Sequence, residues 1–201
     1  LLACDGAMEE AVDWLRTKGL AKAAKKADRV ASDGLIGVHA SNVGAVAVEI
    51  NSETDFVAKN DEFQEMVRDI SIVAMNADSV ESLLSESIGE KTIADVITDK
   101  IRVIGENLTV RRMVKLEGKN VAHYIHNSVG KGLGKLAVLV AYEGENGDLA
   151  RQVAMHIAAS NPIAVCKDDL DPSLIERERN IFAQQAKESG KPENIIENMV
   201  N

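Results

Sequence analysis

The sequence predicts an α+β protein with a duplicated core, in which two halves each consist of an antiparallel sheet and a helix. Two observations lead to this prediction. The apolar residues change from helical spacing to strand-like alternation at Asp33. A hairpin, a loop and a helix then follow one another twice along the chain, which favours two sheet-and-helix halves facing each other. With 201 residues, 45% of them apolar, the chain can bury a sizeable core.

Composition excludes several functional classes. The chain has 23 basic and 32 acidic residues, and a net charge of −9 argues against a nucleic-acid-binding protein. Cys4 and Cys166 are too few for a disulfide framework. No apolar run reaches the roughly 20 residues of a membrane span, and no signal peptide opens the chain. We therefore expect a cytoplasmic protein without a nucleic-acid or membrane partner, whose acidic surface suits a protein partner.

The first thirty residues are predicted to be helical. Met8, Val12 and Leu15 recur at helical spacing, Gly19 can end that helix, and Leu20–Ala27 is rich in strong helix formers. We interpret residues 1–30 as the end of a small helical domain and its linker. A local basic cluster in the linker is interpreted as a solvated face and comprises Lys22, Lys25, Lys26 and Arg29.

The first core half is assigned to residues 31–118. It begins with two strands joined by a turn at Ser41–Gly44. A helix is expected to start at Asn60 or Asp61, with Gln64 reaching back to the cap. Gly105 is expected to end a second helix. The predicted elements are strands at Gly34–His39 and Ala45–Ile50, helices from Asn60 to about Ala77 and at Lys91–Ile104, and a strand at Leu108–Leu116, with Asp78–Ile88 irregular.

The second core half is assigned to residues 119–165 and a helical hairpin to residues 166–201. Asp171-Pro172 is a helix start, because Pro suits the first helical position. A short turn at Ser189–Pro192 implies that two antiparallel helices pack together. The predicted elements are strands at Val121–Ile125 and Leu136–Tyr142, a helix at Asp148–Ala159 stopped by Asn161-Pro162, and helices from Asp171 to about Glu188 and from Glu193 onward.

No catalytic or metal-binding pattern stands out. His123 and His126 lie three positions apart on a predicted strand, so they point to opposite faces and cannot share a metal. The Gly130–Lys135 segment is not a P-loop, because Lys135 is followed by Leu136 and a strand where the motif needs Ser or Thr and a helix. We interpret it as a flexible hairpin loop. The sequence thus predicts neither an enzyme nor a cofactor, although a small-molecule enzyme using this loop is the alternative from another class.

The most informative stretch is Glu49–Lys59, EINSETDFVAK. A strand delivers Thr54, Asp55 and Phe56 to a point beyond its end, where polar residues surround one large aromatic side chain. Two interpretations stay open. Phe56 packs into the core while Thr54 or Asp55 caps a short turn, or Phe56 is presented as an anchor that enters a pocket on a partner.

This stretch resembles the diagnostic segment of the elongation factor Ts family. Further motifs in family order extend the resemblance over nearly the whole chain. They are Leu15–Gly19, Ala21–Ala27, Ile104–Asn107, Arg111-Arg112, Tyr124–His126, Met155–Ser160 and Ser189–Pro192. The resemblance implies that residues 1–30 end a ubiquitin-associated-like domain. It also implies that the family's opening helix precedes Leu1 and that the rest of the hairpin and the closing strands follow Asn201.

The resemblance implies a guanine-nucleotide exchange factor for elongation factor Tu. Such a factor releases GDP by disturbing the partner's magnesium and phosphate site, so that GTP can load during protein synthesis. The implied contact residues are Thr54, Asp55, Phe56 and Val57, with Ile104 and His126 as secondary contacts. Ile104 as a core residue and His126 as a satisfied strand histidine are the alternatives. The hairpin resembles a dimerisation arm, and the implied source is a bacterial cytoplasm or an organelle.

Overall fold

The computed structural model describes residues 10, 13, 14, 17, 21 and 23–188. It divides into two compact units, Leu1–Ala159 and Ser160–Asn201. The described residues up to position 24 are helical. Their interpretation as the remnant of a ubiquitin-associated-like domain stays a prediction.

A four-stranded antiparallel sheet forms the centre of the first unit. Its strands are β1 (Asp33–Ser41), β2 (Gly44–Ser52), β5 (Thr109–Glu117) and β7 (Leu133–Gly134), in the order β5-β2-β1-β7. β1 and β2 form the predicted hairpin, with Leu35 opposite Ile50. Alternating apolar side chains place one face of this hairpin in the core, where Leu35, Val46, Val48 and Ile50 are fully or almost fully buried.

Helix α1 (Asp61–Val73) packs on this sheet and continues as a 3-10 turn to Asn76, as its apolar stripe predicts. Asn60 caps it, since its side-chain oxygen accepts a 3.0 Å hydrogen bond from the Phe63 N–H. The expectation for Gln64 is wrong, because its amide donates to the Ala58 carbonyl at 3.0 Å instead of reaching back to the cap. The buried apolar face of the helix consists of Phe63, Met66, Val67 and Ile70.

Gly37 lets helix α1 approach strand β1 closely. A Cβ atom at this position would lie 2.0 Å from the Ser71 Oγ and 2.9 Å from a Val67 methyl carbon. Ser71 is itself buried and donates to the Val67 carbonyl at 2.6 Å, so it has little room to move. The helix and the strand would have to separate to accept a side chain here.

Gly37→Val is therefore expected to lower the free energy of unfolding by about 1–3 kcal/mol, the usual effect of overpacking a core. Urea denaturation followed by circular dichroism measures this change. Ala40→Val is the matched control, because Ala40 lies exposed on the same strand. Equal stability of the two variants would show that the contact between β1 and α1 is looser than described.

The segment from 78 to 104 contains more structure than predicted. The stretch expected to be irregular holds α2 (Val80–Ser85) and the short strand β3 (Ser87–Ile88), which pairs with β4 (Lys91–Thr92). Ser79 caps α2 by accepting a hydrogen bond from the Ser82 N–H at 3.1 Å. Helix α3 (Ile93–Ile104) follows and ends at Gly105, whose φ of 87° is left-handed as expected for a terminating glycine.

A second hairpin and helix complete the first unit. Strands β6 (Val121–His126) and β8 (Leu136–Ala141) pair antiparallel, and helix α4 (Gly147–Ser160) follows. The prediction of a flexible loop at Gly130–Lys135 is wrong in part, because Leu133 and Gly134 form β7 and pair with β1. The Val38 N–H also donates to the Gly132 carbonyl at 2.8 Å, which fixes this segment to the sheet.

The second unit contains helix α5 (Pro172–Glu188), which begins at the predicted proline. Asp171 precedes it, and the hydrogen bond from the Ser173 backbone N–H holds the pKa of its carboxyl below the ordinary value. The predicted turn at Ser189–Pro192 and the helix after it lie outside the described residues. Among the helices that the structure describes, none is long and apolar enough to cross a bilayer.

The α+β class is confirmed by the mixture of helices and antiparallel sheets. The duplication of the core stays a prediction, as do the protruding hairpin and the division into residues 1–30, 31–118, 119–165 and 166–201.

Candidate functional site

The loop that follows strand β2 presents one aromatic side chain to solvent. We call residues Glu53–Phe56 the Phe56 loop; it runs from the end of β2 to a 3-10 turn, Val57–Lys59, that leads into α1. The Phe56 side chain is 74% exposed, whereas Phe63, only seven positions later, is fully buried. The interpretation that Phe56 packs into the core is therefore wrong for this structure.

A lysine lies next to the Phe56 ring and is paired with a carboxylate. The Lys59 Nζ is 5.4 Å from the ring centroid, and it is 3.6 Å from a carboxylate oxygen of Asp55. All three side chains are exposed, so these contacts stabilise the isolated protein little. The 3-10 turn has no side-chain cap, so neither Thr54 nor Asp55 caps it. The loop and the turn after it thus offer an exposed aromatic ring beside an ammonium group that is paired with a carboxylate.

Val57 lies inside the protein. Its side chain is 6% exposed and that of Ala58 is 2% exposed, and both belong to the main hydrophobic cluster. The exposed fraction therefore falls from 74% at Phe56 to 6% at Val57, the next residue. Val57 fixes the end of the loop to the core and has almost no surface that a partner could touch.

Thr54 is held by one carboxylate of the α3–β5 segment. The Thr54 N–H donates to Glu106 Oε2 at 2.9 Å, and the Thr54 hydroxyl donates to Glu106 Oε1 at 2.7 Å. The Ser52 hydroxyl donates to the Thr54 carbonyl at 2.9 Å. The polar groups of Thr54 are thus used inside the protein. Hydrogen bonds to an ionised acceptor are stronger than neutral ones, so this contact is a firm one.

Asn107 joins the loop to the N-terminal linker. Its backbone N–H donates to Glu53 Oε1 at 2.7 Å, and its side-chain amide donates to the carbonyls of Ala27 at 3.3 Å and Arg29 at 2.8 Å. The Arg29 guanidinium lies 3.6 Å from the same Glu53 oxygen. Asn107 is only 3% exposed, so these bonds are shielded from water.

Glu106 and Asn107 were predicted from the sequence only as members of the Ile104–Asn107 motif, without a role of their own. One signal was available, since a Glu-Asn pair directly after the glycine that ends a helix supplies polar groups at a point where the chain turns. Lys26 donates to the carbonyl of that glycine, Gly105, so part of the basic cluster contacts the protein instead of solvent alone.

An ion pair joins helices α1 and α3. Lys100 Nζ and Glu62 Oε2 are 2.8 Å apart, near the start of α1 and four residues before the end of α3. The hydrogen bond from Lys100, and then its charge, hold the pKa of Glu62 below the ordinary value. The pair links α1, which follows the Phe56 loop, to α3, which precedes Glu106 and Asn107.

Ile104 and His126 lie at the ends of other elements. Ile104 is the last residue of α3. Its side chain is half-buried and packs against the main hydrophobic cluster, so much of it belongs to the core. His126 is exposed at the end of β6, and its Nδ1 is 3.1 Å from the Tyr124 hydroxyl. His126 belongs to the second hairpin and not to the Phe56 loop. Their part in a partner contact stays a prediction.

The described residues show no arrangement suited to metal binding. Within residues 23–188 and the five described positions before them, no three His, Cys, Asp or Glu side chains could hold a metal ion together. The chemistry available at the Phe56 loop is that of a protein contact: a presented ring, neighbouring charges and a braced backbone.

Known proteins resemble this chain over its whole length. The model of the family described as Elongation factor TS matches residues 53–201, a segment that begins at the Phe56 loop. Proteins named Elongation factor Ts from Dinoroseobacter shibae, Ruegeria sp. (strain TM1040) and Paracoccus denitrificans are 53%, 55% and 52% identical to it. Each alignment covers 100% of this chain and 69% of the relative. The chain belongs to the elongation factor Ts family of translation elongation factors.

Proposed function

We propose that this protein is a guanine-nucleotide exchange factor that binds elongation factor Tu in its GDP-bound form. It promotes GDP release by disturbing the magnesium and phosphate site of that GTPase, so that GTP can load during protein synthesis in the bacterial cytoplasm. Membership of the elongation factor Ts family supports the proposal. The single observation that carries it is the exposed Phe56 side chain on a loop anchored at both ends.

An exchange factor has no chemical step to catalyse. It needs only to bind more tightly to the conformation of the GTPase that holds GDP and magnesium poorly. Coupling between two binding sites is reciprocal, so bound nucleotide must weaken the factor's own affinity by the same factor. A site without catalytic groups, such as the Phe56 loop, is sufficient for this activity.

The proposed role of Phe56 is to insert between helices of the GTPase domain. In the isolated protein this ring is 74% exposed and gains little from burial. Burying a phenylalanine is worth about 1.5–3 kcal/mol. That free energy becomes available only in the complex, where it favours the conformation with a disturbed magnesium site.

The other predicted contact residues have different roles, according to how exposed their side chains are. Asp55 is exposed beside the ring and hydrogen-bonds the partner, while Thr54 and Val57 serve by holding the loop. Ile104 supplies apolar surface for a partner helix, and His126 contacts a different part of the GTPase. The last two assignments rest on the family resemblance.

The test is release of a fluorescent GDP analogue from loaded elongation factor Tu in magnesium buffer. Added protein is expected to raise the release rate in proportion to its concentration until the GTPase is saturated. The spontaneous rate without the protein is the reference. A release rate that does not change at any concentration would overturn the proposed function.

Helix α5 favours a second role, association of two copies through the helical hairpin. Two of its apolar side chains, Leu174 and Ile181, are 38% and 39% exposed. Leu174 and Ile181 lie seven positions apart and therefore on one face of the helix. A dimer that buries this face is expected to show a concentration-dependent mass in light scattering, which Ile181→Ser lowers. A constant monomer mass would leave the hairpin without this role.

A further inference from the structure

We propose that Glu106 and Asn107 are positioning residues for nucleotide exchange, which hold the Phe56 loop in the shape that presents its ring. The inference rests on the proposed function and adds to it the residues that act through the loop without touching the partner. Both lie between helix α3 and strand β5, and both bond to residues of the loop.

Glu106 fixes the loop two residues before Phe56. Its two carboxylate oxygens accept separate hydrogen bonds from the Thr54 N–H and the Thr54 hydroxyl, at 2.9 and 2.7 Å. Two bonds from one residue to one carboxylate set both the position and the orientation of Thr54. On the other side of Phe56, the buried side chain of Val57 sets the position of the chain. The ring is therefore presented from a segment fixed on both sides.

Asn107 fixes the beginning of the loop and joins it to the linker. Its backbone bonds to Glu53, its side-chain amide bonds to the carbonyls of Ala27 and Arg29, and the Arg29 guanidinium approaches Glu53. These contacts connect three segments that are far apart in sequence, namely the linker at residues 27–29, the Phe56 loop at Glu53, and Asn107. The beginning of the loop is therefore held by two segments that lie far from it in sequence.

The Phe56 ring contributes little to fixing its own loop, because it is 74% exposed and its contact with Lys59 is a weak one at the surface. Without the two side chains, the loop would be free to adopt shapes that do not fit the partner. The apparent affinity of a protein falls in proportion to the fraction of molecules in the competent shape. Once bound, the contact with the partner restores that shape. Loss of positioning should therefore raise the concentration of factor needed for half-maximal exchange and leave the maximal rate nearly unchanged.

The test compares Glu106→Gln with the wild-type protein in the exchange assay. A glutamine at this position can accept only one of the two bonds from Thr54 through its amide oxygen, and its NH2 group can at most donate a neutral bond to the Thr54 hydroxyl in place of the charge-assisted one. The half-saturating concentration is expected to rise about tenfold, the usual effect of losing one charge-assisted bond, with a maximal rate within about twofold of wild type. Glu117→Gln is the matched control, because Glu117 lies at the opposite end of β5 from the loop, paired with Gly44.

Thr54→Val shows whether Glu106 acts through Thr54. It removes the hydroxyl but keeps the size of the side chain, and it should raise the half-saturating concentration in the same way. The double variant should then resemble Glu106→Gln alone, since residues that act through one contact have non-additive effects. Amide hydrogen exchange of the isolated protein should show faster exchange at Thr54 in Glu106→Gln, with α1 still protected.

Two results would overturn the inference. The first is a Glu106→Gln protein with wild-type kinetics although its Thr54 amide has lost protection, because the brace would then be irrelevant to exchange. The second is a changed maximal rate with an unchanged Thr54 amide, because Glu106 would then act by another route. If the wild-type protein itself fails to accelerate release, the proposed function fails first and the exchange role of Glu106 fails with it.

Discussion

Phe56→Ala is expected to slow GDP release from elongation factor Tu by about 10- to 100-fold, because the truncated side chain forfeits about 1.5–3 kcal/mol of burial in the complex. The side chain is 74% exposed in the isolated protein, so its loss should leave the circular dichroism spectrum and melting temperature as they are. The loss should appear in the maximal rate, because the ring acts on the conformation of the bound GTPase.

Phe182→Ala is the matched control for this experiment. It makes the same chemical change at a phenylalanine that is 57% exposed on helix α5, in the second unit. We expect exchange by this variant to stay within about twofold of wild type, the scatter of a neutral surface substitution. If Phe56→Ala promotes exchange at the wild-type rate and Phe182→Ala does so slowly, the functional surface lies on the hairpin and not on the Phe56 loop.

Phe63→Ala is expected to lower the free energy of unfolding by about 3–5 kcal/mol, the range for truncating a buried aromatic residue. Phe63 is completely buried between α1 and the sheet, and a cavity at this position would leave the apolar side chains around it without a contact. Urea denaturation of the two alanine variants measures the difference. Phe56→Ala should unfold within about 0.5 kcal/mol of wild type.

The pair of variants separates the two uses of phenylalanine in this protein. A strongly destabilised Phe56→Ala protein would show that the ring is packed against its own chain in solution. A Phe63→Ala protein as stable as wild type would show that the core under α1 is not packed around the Phe63 ring. Either result would contradict the assignment of one ring to the partner and the other to the fold.

Long elements were predictable from the sequence because their burial pattern is periodic. Alternation predicted β1 and β2 to within two residues at each end, and the apolar stripe and Asn60 predicted α1. The short elements were not predictable in this way. Strands β3, β4 and β7 have two residues each, too few for a period, and they form because neighbouring segments supply their hydrogen-bond partners.

The candidate site was predictable only as a segment. The loop and its aromatic residue were predictable from the residues, but the direction of Phe56 was not, because the exposure of a side chain depends on which distant segments the fold places around it. Val57 was assigned to the contact surface, yet its side chain is in the core. Glu106 bonds to a residue 52 positions away, and no local pattern reports such a contact.

Fluorine NMR of the protein labelled with 4-fluorophenylalanine tests the central claim most directly. The chain contains three phenylalanines, Phe56, Phe63 and Phe182, so the spectrum has three resonances that single Phe→Leu substitutions assign. On addition of GDP-bound elongation factor Tu, the Phe56 resonance is expected to shift and to lose its sensitivity to exchange of H2O for D2O, while the Phe63 resonance stays in place. A Phe56 resonance that keeps its position and solvent sensitivity at a saturating concentration of the partner would show that the ring does not enter the partner.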